Sequence, residues 1–193
     1  MTTFKKWTIA LVAALAALAL AGCSDFGHVA QGRVIAYDAK AGQATVILES
    51  ATAGQSPAGV LPPVIVKTPV DREEMGPAPA AGKLVKVDLK AKHAIVFDPG
   101  AQAFRTIDFT PVEVRRDVKK APSAAPVDKK AKTITLYAAA DRATVTFPAT
   151  DELLAMPADT WKSGDVVRYY FKDPNQALRM MNVTKTDLNK AGE

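Results

Sequence analysis

Three carboxylates lie close together in one proline-bounded segment of the sequence. They are Asp71, Glu73 and Glu74, with Arg72 between them. Two carboxyl groups held at a suitable separation can act as acid and base in glycoside hydrolysis. Carboxylates interrupted by an arginine are also typical of a solvated loop with a local ion pair. The sequence therefore leaves two interpretations of this cluster, a hydrolytic acid–base pair and a loop that faces a binding partner.

Other catalytic and metal-binding patterns are missing from the sequence. One cysteine and two histidines, His28 and His93, are too few for a disulfide, a cysteine-based zinc site or a multi-histidine cage. No GxSxG or SxxK motif supplies an activated nucleophile, and no glycine-rich loop is suited to hold phosphate. We therefore predict that the chain is not an enzyme and has no catalytic residue, no metal site and no cofactor.

The single cysteine follows a segment with the pattern of a secretory signal. Two lysines precede the apolar run Trp7–Leu20, which is too short for a permanent membrane span. The run ends in Leu20-Ala21-Gly22-Cys23, which resembles the bacterial lipobox, whose cysteine thiol receives diacylglycerol before cleavage. The resemblance implies a signal peptide over residues 1–22 and a mature chain that begins with a lipidated Cys23.

Lipidation of Cys23 predicts where the chain is found. Several acyl chains on one residue form a stable membrane anchor, so no transmembrane helix is needed. Ser24 occupies the second mature position, where lipoproteins retained in the inner membrane usually carry aspartate. We therefore expect a lipid-anchored protein of the bacterial cell envelope, at the periplasmic face of the outer membrane.

The positive charge of the chain is concentrated in two short segments. Removal of residues 1–22 deletes two lysines and no acidic residue, which lowers the formal charge from +5 to +3. Residues 115–132 carry seven basic and two acidic side chains, so the rest of the mature chain is slightly acidic. This distribution predicts an Ala/Pro/Lys linker over residues 116–131 and argues against a nucleic acid partner.

Short β-branched runs separated by turn residues predict an all-β fold, built as a meander, sandwich or small barrel. In residues 84–90, alternation places Val85, Val87 and Leu89 on one face. Asp98-Pro99-Gly100 predicts a type II turn. Strands are predicted near residues 33–37, 44–48, 64–66, 84–90, 93–97, 104–109, 133–137, 143–147, 166–171 and 177–183, with one helical turn over residues 151–155.

The predicted strands form two hairpin-rich β modules. We assign residues 23–31 to a tether, 32–115 to the first module, 132–187 to the second and 188–193 to a tail. The segment that begins at Asp98-Pro99-Gly100 is similar to the one that begins at Asp173-Pro174-Asn175. This similarity has two explanations, an internal duplication or the recurrence of common hairpin sequences.

Aromatic side chains are concentrated in a predicted strand near the end of the chain. Tyr169, Tyr170 and Phe171 are consecutive, so Tyr169 and Phe171 share one face of the strand while Tyr170 occupies the other. One face can therefore build the core, and Tyr170 stays available to a ligand or partner.

Several short motifs are spread over the mature chain: Asp25-Phe26-Gly27, Gln31-Gly32-Arg33-Val34, Leu61-Pro62-Pro63-Val64, Glu74-Met75-Gly76-Pro77, Phe97-Asp98-Pro99, Ser163-Gly164-Asp165 and Met181-Asn182-Val183-Thr184-Lys185-Thr186-Asp187. Together they resemble an uncharacterised family of small bacterial lipoproteins known only as a domain of unknown function. The resemblance implies a lipoprotein and assigns no catalytic or binding residue.

We therefore predict a lipid-anchored envelope protein that acts as a non-enzymatic binding or scaffold module. Its expected partners are the membrane, through Cys23, and another envelope protein or a small ligand. The predicted partner-facing residues are Asp71, Glu73, Glu74 and Tyr170. Two alternatives remain: an envelope-polymer hydrolase that uses the loop carboxylates, and a β barrel that binds a small ligand in an apolar cavity.

Overall fold

A computed structural model describes residues 26–49, 58–122 and 126–186. The predicted signal peptide, Cys23 and the predicted tail lie outside the described residues. The described chain is mostly β-structure, which confirms the predicted fold class. Its elements are β1 (His28–Asp38), β2 (Gln43–Leu48), β3 (Val60–Lys67), β4 (Leu84–Asp88), β5 (His93–Asp98), β6 (Ala103–Asp108), β7 (Glu113–Arg115), β8 (Val127–Asp128), β9 (Thr133–Ala138), β10 (Ala143–Pro148), α1 (Asp151–Ala155), β11 (Val166–Asp173) and β12 (Gln176–Asn182), with short 3-10 helices at Arg72–Glu74 and Ala158–Trp161.

Five strands close into a barrel in the order β1-β11-β12-β3-β2. Three of these strands come from the start of the described chain and two from its end. The barrel therefore draws on both predicted modules, and the sheets do not follow the division into residues 32–115 and 132–187. The barrel core is formed by Val34, Ala44, Val46, Val66, Val167, Tyr169, Ala177 and Met180.

The other seven strands form a sandwich of two sheets. One sheet has the order β4-β5-β6 and the other β7-β10-β9-β8. Apolar residues of both sheets alternate inward and form one core, in which the rings of Phe109 and Phe147 stack with centroids 4.9 Å apart. Trp161, at the end of the second 3-10 helix, is buried in the same core. The sandwich thus has its own core, separate from that of the barrel.

The chain leaves the barrel for the sandwich and returns to it at one place. Lys83 and Ser163 pair in an antiparallel bridge. A Cβ atom on Gly82 would lie 2.2 Å from the carbonyl oxygen of Lys162, so this close approach of two backbones requires glycine. Beside the crossing, Ile35 and Ile47 of the barrel pack against Phe97 of the sandwich. We call this region the joint.

Two β-bulges adapt the strands that pass the joint. A bulge between Val34 and Ala36 in β1 leaves both Val34 and Ile35 buried, one in the barrel core and one in the joint. A second bulge follows Leu84 in β4. As a result Val85 packs at the joint while Val87 packs in the sandwich core, so the prediction that these two residues share a face is wrong.

The predicted hairpins are present, and most are closed by one type of loop. Four-residue loops join β1 to β2, β4 to β5, β5 to β6, β8 to β9 and β9 to β10. The last residue of each has a positive φ, between 47° and 60°; these residues are Gly42, Lys92, Gln102, Lys132 and Arg142. Gly100 has no positive φ, so the predicted type II turn is wrong. Asp98 instead accepts hydrogen bonds from the backbone of Gly100 and Ala101.

Parts of the predicted tether and linker belong to sheets. Residues 28–31 pair with residues 168–171 of β11, so the barrel begins earlier than the sequence indicates. In the predicted linker, Val127 and Asp128 form β8, and the Val118 carbonyl accepts a hydrogen bond of 3.0 Å from Tyr137 Oη. The predicted helical turn is confirmed as α1, whose first turn is capped by Thr150.

Candidate functional site

The three predicted loop carboxylates do not converge on one point. Asp71 caps the first 3-10 helix and accepts a hydrogen bond of 2.9 Å from the Glu73 amide. Glu73 is exposed. Glu74 accepts hydrogen bonds from both Nε and Nη2 of Arg179, and these bonds hold the pKa of Glu74 below its ordinary value. The segment is a capped, solvated turn with one ion pair.

Tyr170 is engaged by the beginning of the described chain. It is half-buried, and its hydroxyl accepts a hydrogen bond of 3.0 Å from the Gly27 amide. Its cross-strand neighbour is Arg179, the partner of Glu74. The structure therefore brings Tyr170 and Glu74 to one outer face of the barrel, with Arg179 between them, whereas Asp71 and Glu73 remain on the adjoining turn.

A groove of about 580 Å³ lies along the four-stranded sheet of the sandwich. Alternation explains its composition. Ile134 and Leu136 face the core, so Thr135 and Tyr137 occupy the opposite face of β9. On β10 the threonines at 144 and 146 stand on that same opposite face, since they pair with Tyr137 and Thr135. The groove is thus lined by hydroxyl groups held on two rigid strands.

The edge of the groove carries a charged pair. Arg115 and Glu113 on β7 pair with the two β10 threonines, so they project from the same face of the sheet. Arg115 Nε donates to Glu113 Oε1 at 2.6 Å, which raises the pKa of Arg115. Both residues are exposed, so they form a rim around the less exposed hydroxyl floor.

Trp161 also lines the groove and carries a buried donor. The side chain is 2% exposed, and its indole Nε1–H has no hydrogen-bond partner among the described residues. Buried indole N–H groups usually have a partner. Three of the lining hydroxyls are already paired: Thr135 Oγ1 lies 2.9 Å from Thr146 Oγ1, and Tyr137 donates to the Val118 carbonyl. The lining of the groove therefore includes one residue with a buried, unpaired donor beside hydroxyls that can both donate and accept.

A second cavity, of about 610 Å³, lies among the loops at the end of β1 and β3. Lys40, Lys67 and Arg72 contribute to its lining. Its buried polar groups are satisfied within the protein, since Gln176 Nε2 donates to the Thr68 carbonyl and Thr68 Oγ1 to Gly42. This cavity is basic but has no unpaired buried group among its described residues, so it is the weaker candidate.

A family model described as a domain of unknown function (DUF4881) matches residues 25–191. The chain belongs to this family. The match spans both the barrel and the sandwich, and it confirms the resemblance to a domain of unknown function. No curated protein and no solved structure matches the chain.

Three of the motifs that resembled a domain of unknown function meet at and near the joint. Arg33 Nη1 donates to the Gly164 carbonyl at 2.7 Å. Asp165 Oδ2 accepts 2.8 Å hydrogen bonds from the Ala80 amide and Asn182 Nδ2, and lies 3.1 Å from Lys185 Nζ. Burial opposes ionisation of Asp165, but these partners outweigh it and hold its pKa below the ordinary value. These motif residues therefore hold together, by hydrogen bonds and an ion pair, segments that are far apart in the sequence of this DUF4881 chain.

None of the helices in residues 26–49, 58–122 and 126–186 of this DUF4881 chain has the length and apolar character of a membrane-spanning helix. The same part of the chain contains no group of three or more His, Cys, Asp or Glu residues placed to hold a metal ion.

The groove of this DUF4881 chain was not predicted from the sequence. The signal was present as alternation in Thr133-Ile134-Thr135-Leu136-Tyr137 and Ala143-Thr144-Val145-Thr146-Phe147. Each segment places hydroxyl side chains on one face. The alternation does not predict that β7 pairs with β10 or that Trp161 lines the groove, because β7 and Trp161 lie outside these two segments.

Proposed function

We propose that the chain is a lipid-anchored bacterial envelope protein that acts as a non-enzymatic binding module, with its ligand in the groove on the four-stranded sheet. The observation that carries this proposal is the buried indole N–H of Trp161. A buried donor without a partner costs about 1–3 kcal/mol. An acceptor atom on a ligand that enters the groove and reaches Nε1 would offset that cost.

The lining indicates the chemistry of the ligand. A volume of about 580 Å³ falls within the range of small-molecule sites, about 300–1,000 Å³. The floor is uncharged and rich in threonine hydroxyls, whereas the exposed part of the lining carries the paired Glu113 and Arg115 and one further cation, Lys162. These features suit a small, uncharged polar molecule with at least one acceptor, such as a neutral saccharide.

Several polar groups of the groove favour binding over catalysis, because they are hydrogen-bonded to each other. Thr135 and Thr146 are hydrogen-bonded to each other, and the Glu113 carboxylate is paired with Arg115. An activated hydroxyl nucleophile needs a base within hydrogen-bond reach. Of the loop carboxylates, Asp71 caps the first 3-10 helix, Glu73 is exposed to solvent, and Glu74 forms an ion pair with Arg179. The hydrolase alternative therefore has no observation in its favour.

The barrel interior is a poor place for a ligand. Val34, Val46, Val66 and Val167 are fully buried there together with Met180. Small barrels of this kind are filled by their own side chains. The groove is therefore a better candidate for a small-ligand site than the barrel.

Fluorescence of Trp161 tests the groove. The chain has two tryptophans, and Trp7 lies in the predicted signal peptide, so a mature chain beginning at Cys23 reports Trp161 alone. We expect titration with a panel of neutral oligosaccharides to shift its emission for at least one member. Trp161→Phe, which keeps a ring but lacks the N–H, should weaken binding of that member in calorimetry, as should Thr144→Val.

Thr106→Val is the matched control, because Thr106 is exposed on β6 in the other sheet. It should leave affinity unchanged. If no neutral saccharide binds, or if the Trp161→Phe and Thr106→Val variants bind it equally well, the groove proposal fails.

Mass spectrometry of the mature N-terminus tests the anchor separately. Wild-type protein made in a bacterial host with the lipoprotein pathway should begin at an acylated Cys23 and fractionate with the envelope. Cys23→Ser should leave the chain without acyl groups. An unmodified thiol at residue 23 of the wild type would contradict the lipid-anchor proposal.

A further inference from the structure

Two large apolar side chains are exposed where the described chain begins. Phe26 is 81% exposed, and Val29, the second residue of β1, is 65% exposed. Val29 pairs with Tyr170 across the β1–β11 ladder, so both side chains project from the same outer face of the barrel. Together they form an apolar edge beside the start of the mature chain, which we call the N-terminal edge.

The chain is fixed to the barrel wall from Gly27 onward. The Gly27 amide donates to Tyr170 Oη at 3.0 Å. A Cβ atom at Gly27 would lie 2.4 Å from Tyr170 Cζ, so the backbone lies directly on the tyrosine ring. His28 then begins β1, and its ring lies 5.6 Å from that of Phe171. Only three residues of the sequence, 24–26, separate this fixed point from Cys23.

The length of that connection limits how far the barrel can stand from a membrane. Gly27 is four residues beyond Cys23, and four extended residues span at most about 13–14 Å. The headgroup layer on one side of a bilayer is about 5–8 Å thick. An acylated cysteine at the boundary of the acyl chains therefore holds Gly27 within several ångströms of the outer headgroup surface.

We propose that the N-terminal edge of the barrel lies against the lipid surface, with Phe26 and Val29 in the headgroup region. The proposal deepens the proposed function and rests on its lipid anchor. The short connection and the Gly27–Tyr170 hydrogen bond together orient the barrel wall toward the bilayer. Aromatic and aliphatic side chains placed at that depth are stabilised by burial in the interface.

Quenching by brominated lipid tests this orientation without relying on biological lipidation. Cys23 is the only cysteine, so the mature chain can be coupled there to a maleimide phospholipid in vesicles of phosphatidylcholine with brominated acyl chains. Trp161→Phe removes the mature tryptophan. In that background, Val29→Trp or Phe26→Trp places a single tryptophan at the N-terminal edge.

The matched control is Val112→Trp, because Val112 is 64% exposed and precedes β7 of the sandwich. We expect quenching several-fold stronger at positions 26 and 29 than at 112. Equal quenching at all three positions, or stronger quenching at 112, would overturn the proposal. Phe26 precedes the first strand, so Phe26→Trp keeps the test valid if Val29→Trp perturbs β1.

Lengthening the connection between Cys23 and the barrel tests whether its short length holds the barrel against the membrane. Insertion of about eight Gly/Ser residues between Asp25 and Phe26 gives a flexible tether, and we expect it to reduce quenching at position 29 substantially. Unchanged quenching would show that the short connection does not hold the barrel to the membrane. The failure of natural lipidation would appear instead as an unmodified Cys23 in mass spectrometry, independent of these vesicles.

Discussion

Two charged side chains at the joint, those of Arg33 and Asp165, are partly or largely buried. Arg33 is half-buried, and its desolvation lowers its pKa, an effect that Glu49 and Asp165 partly oppose. Its Nη1 is bound by the Gly164 carbonyl. Asp165 is 7% exposed and remains ionised because three donors face it. A buried charge is tolerated when hydrogen bonds replace lost hydration, and both residues meet that condition.

Asp165→Asn is expected to lower the free energy of unfolding at pH 7 by about 1–3 kcal/mol, because it leaves buried donors with a poorer acceptor. The folded-state pKa of Asp165 lies below its ordinary value of 3.8. Its stabilising effect is therefore full above that value and is lost as pH falls through the folded pKa. Urea titrations between pH 7 and pH 2 should show this acid-dependent loss for wild type and a smaller loss for the variant.

Asp151→Asn is a suitable control for that measurement. Asp151 pairs with Lys132 at 3.0 Å, but its side chain is 84% exposed. Exposed ion pairs contribute about 0–1 kcal/mol, so the variant should stay close to wild type at pH 7. A similar loss of stability in both variants would mean that the buried network at the joint contributes no more to the free energy of unfolding than an exposed ion pair does.

At the scale of elements, the hairpins follow from local chemistry. Four of the five four-residue loops follow an aspartate that ends the preceding strand, and each has alanine before its last residue, the one with positive φ. The aspartates are Asp38, Asp88, Asp98 and Asp128. In each, the aspartate accepts from amides within its loop. Asp173 instead starts a two-residue turn. The similar segments at 98 and 173 therefore close different hairpins.

The loop that joins β4 to β5 gives a test in which one residue type stands in two conformations. Lys92 has a φ of 57°, whereas Lys90 has no positive φ. A left-handed conformation costs a non-glycine residue about 1–2 kcal/mol, so Lys92→Gly should raise the free energy of unfolding by up to about 1 kcal/mol after the entropy cost of glycine. Chemical denaturation measures the change.

Lys90→Gly in the same exposed loop should act in the opposite direction, because it adds freedom to the unfolded chain by about 0.5–1 kcal/mol without relieving strain. The comparison depends on the sign of the two changes. If both variants lower stability by the same amount, the positive φ at Lys92 is not a source of strain.

The sequence predicts these hairpins because both strands and the turn lie within about twenty residues. It does not predict β7 and β8, since they have three and two residues and no periodicity of their own. The two bulges are also missed, because each forms where a strand is covered on both sides. The candidate site divides in the same way: alternation places Thr144 and Thr146 on one face, but only tertiary pairing adds Arg115 and Trp161.

At the scale of the whole molecule, the basic segment does not form one charged surface. Residues 115–120 lie near the loop that joins β9 to β10, where the Val118 amide donates to the Arg142 carbonyl. Lys132 lies at the other end of β9 and pairs with Asp151. The seven cations counted along the sequence are thus divided between opposite ends of one sheet, which reduces any collective attraction to a polyanion.

The topology makes the sandwich an insertion in the barrel. Since Lys83 and Ser163 are bridged, we expect that residues 83–162 can be replaced by a short glycine-containing turn without preventing barrel closure. Cross-strand nuclear Overhauser effects between Ala30 and Tyr169, which are paired in the intact protein, would report the closed barrel. The shortened chain should be less stable than wild type, because Ile35 and Ile47 lose Phe97 as a packing partner.

The contrasting chain is residues 26–82 alone, which holds β1, β2 and β3 but lacks both strands that close the barrel. Three strands with two open edges and half of a core should give a disordered spectrum. If this fragment folds and the shortened chain does not, the barrel does not depend on pairing between the two ends of the sequence. The opposite outcome means that long-range pairing of β1 with β11 defines the barrel, whatever the sandwich adds to its stability.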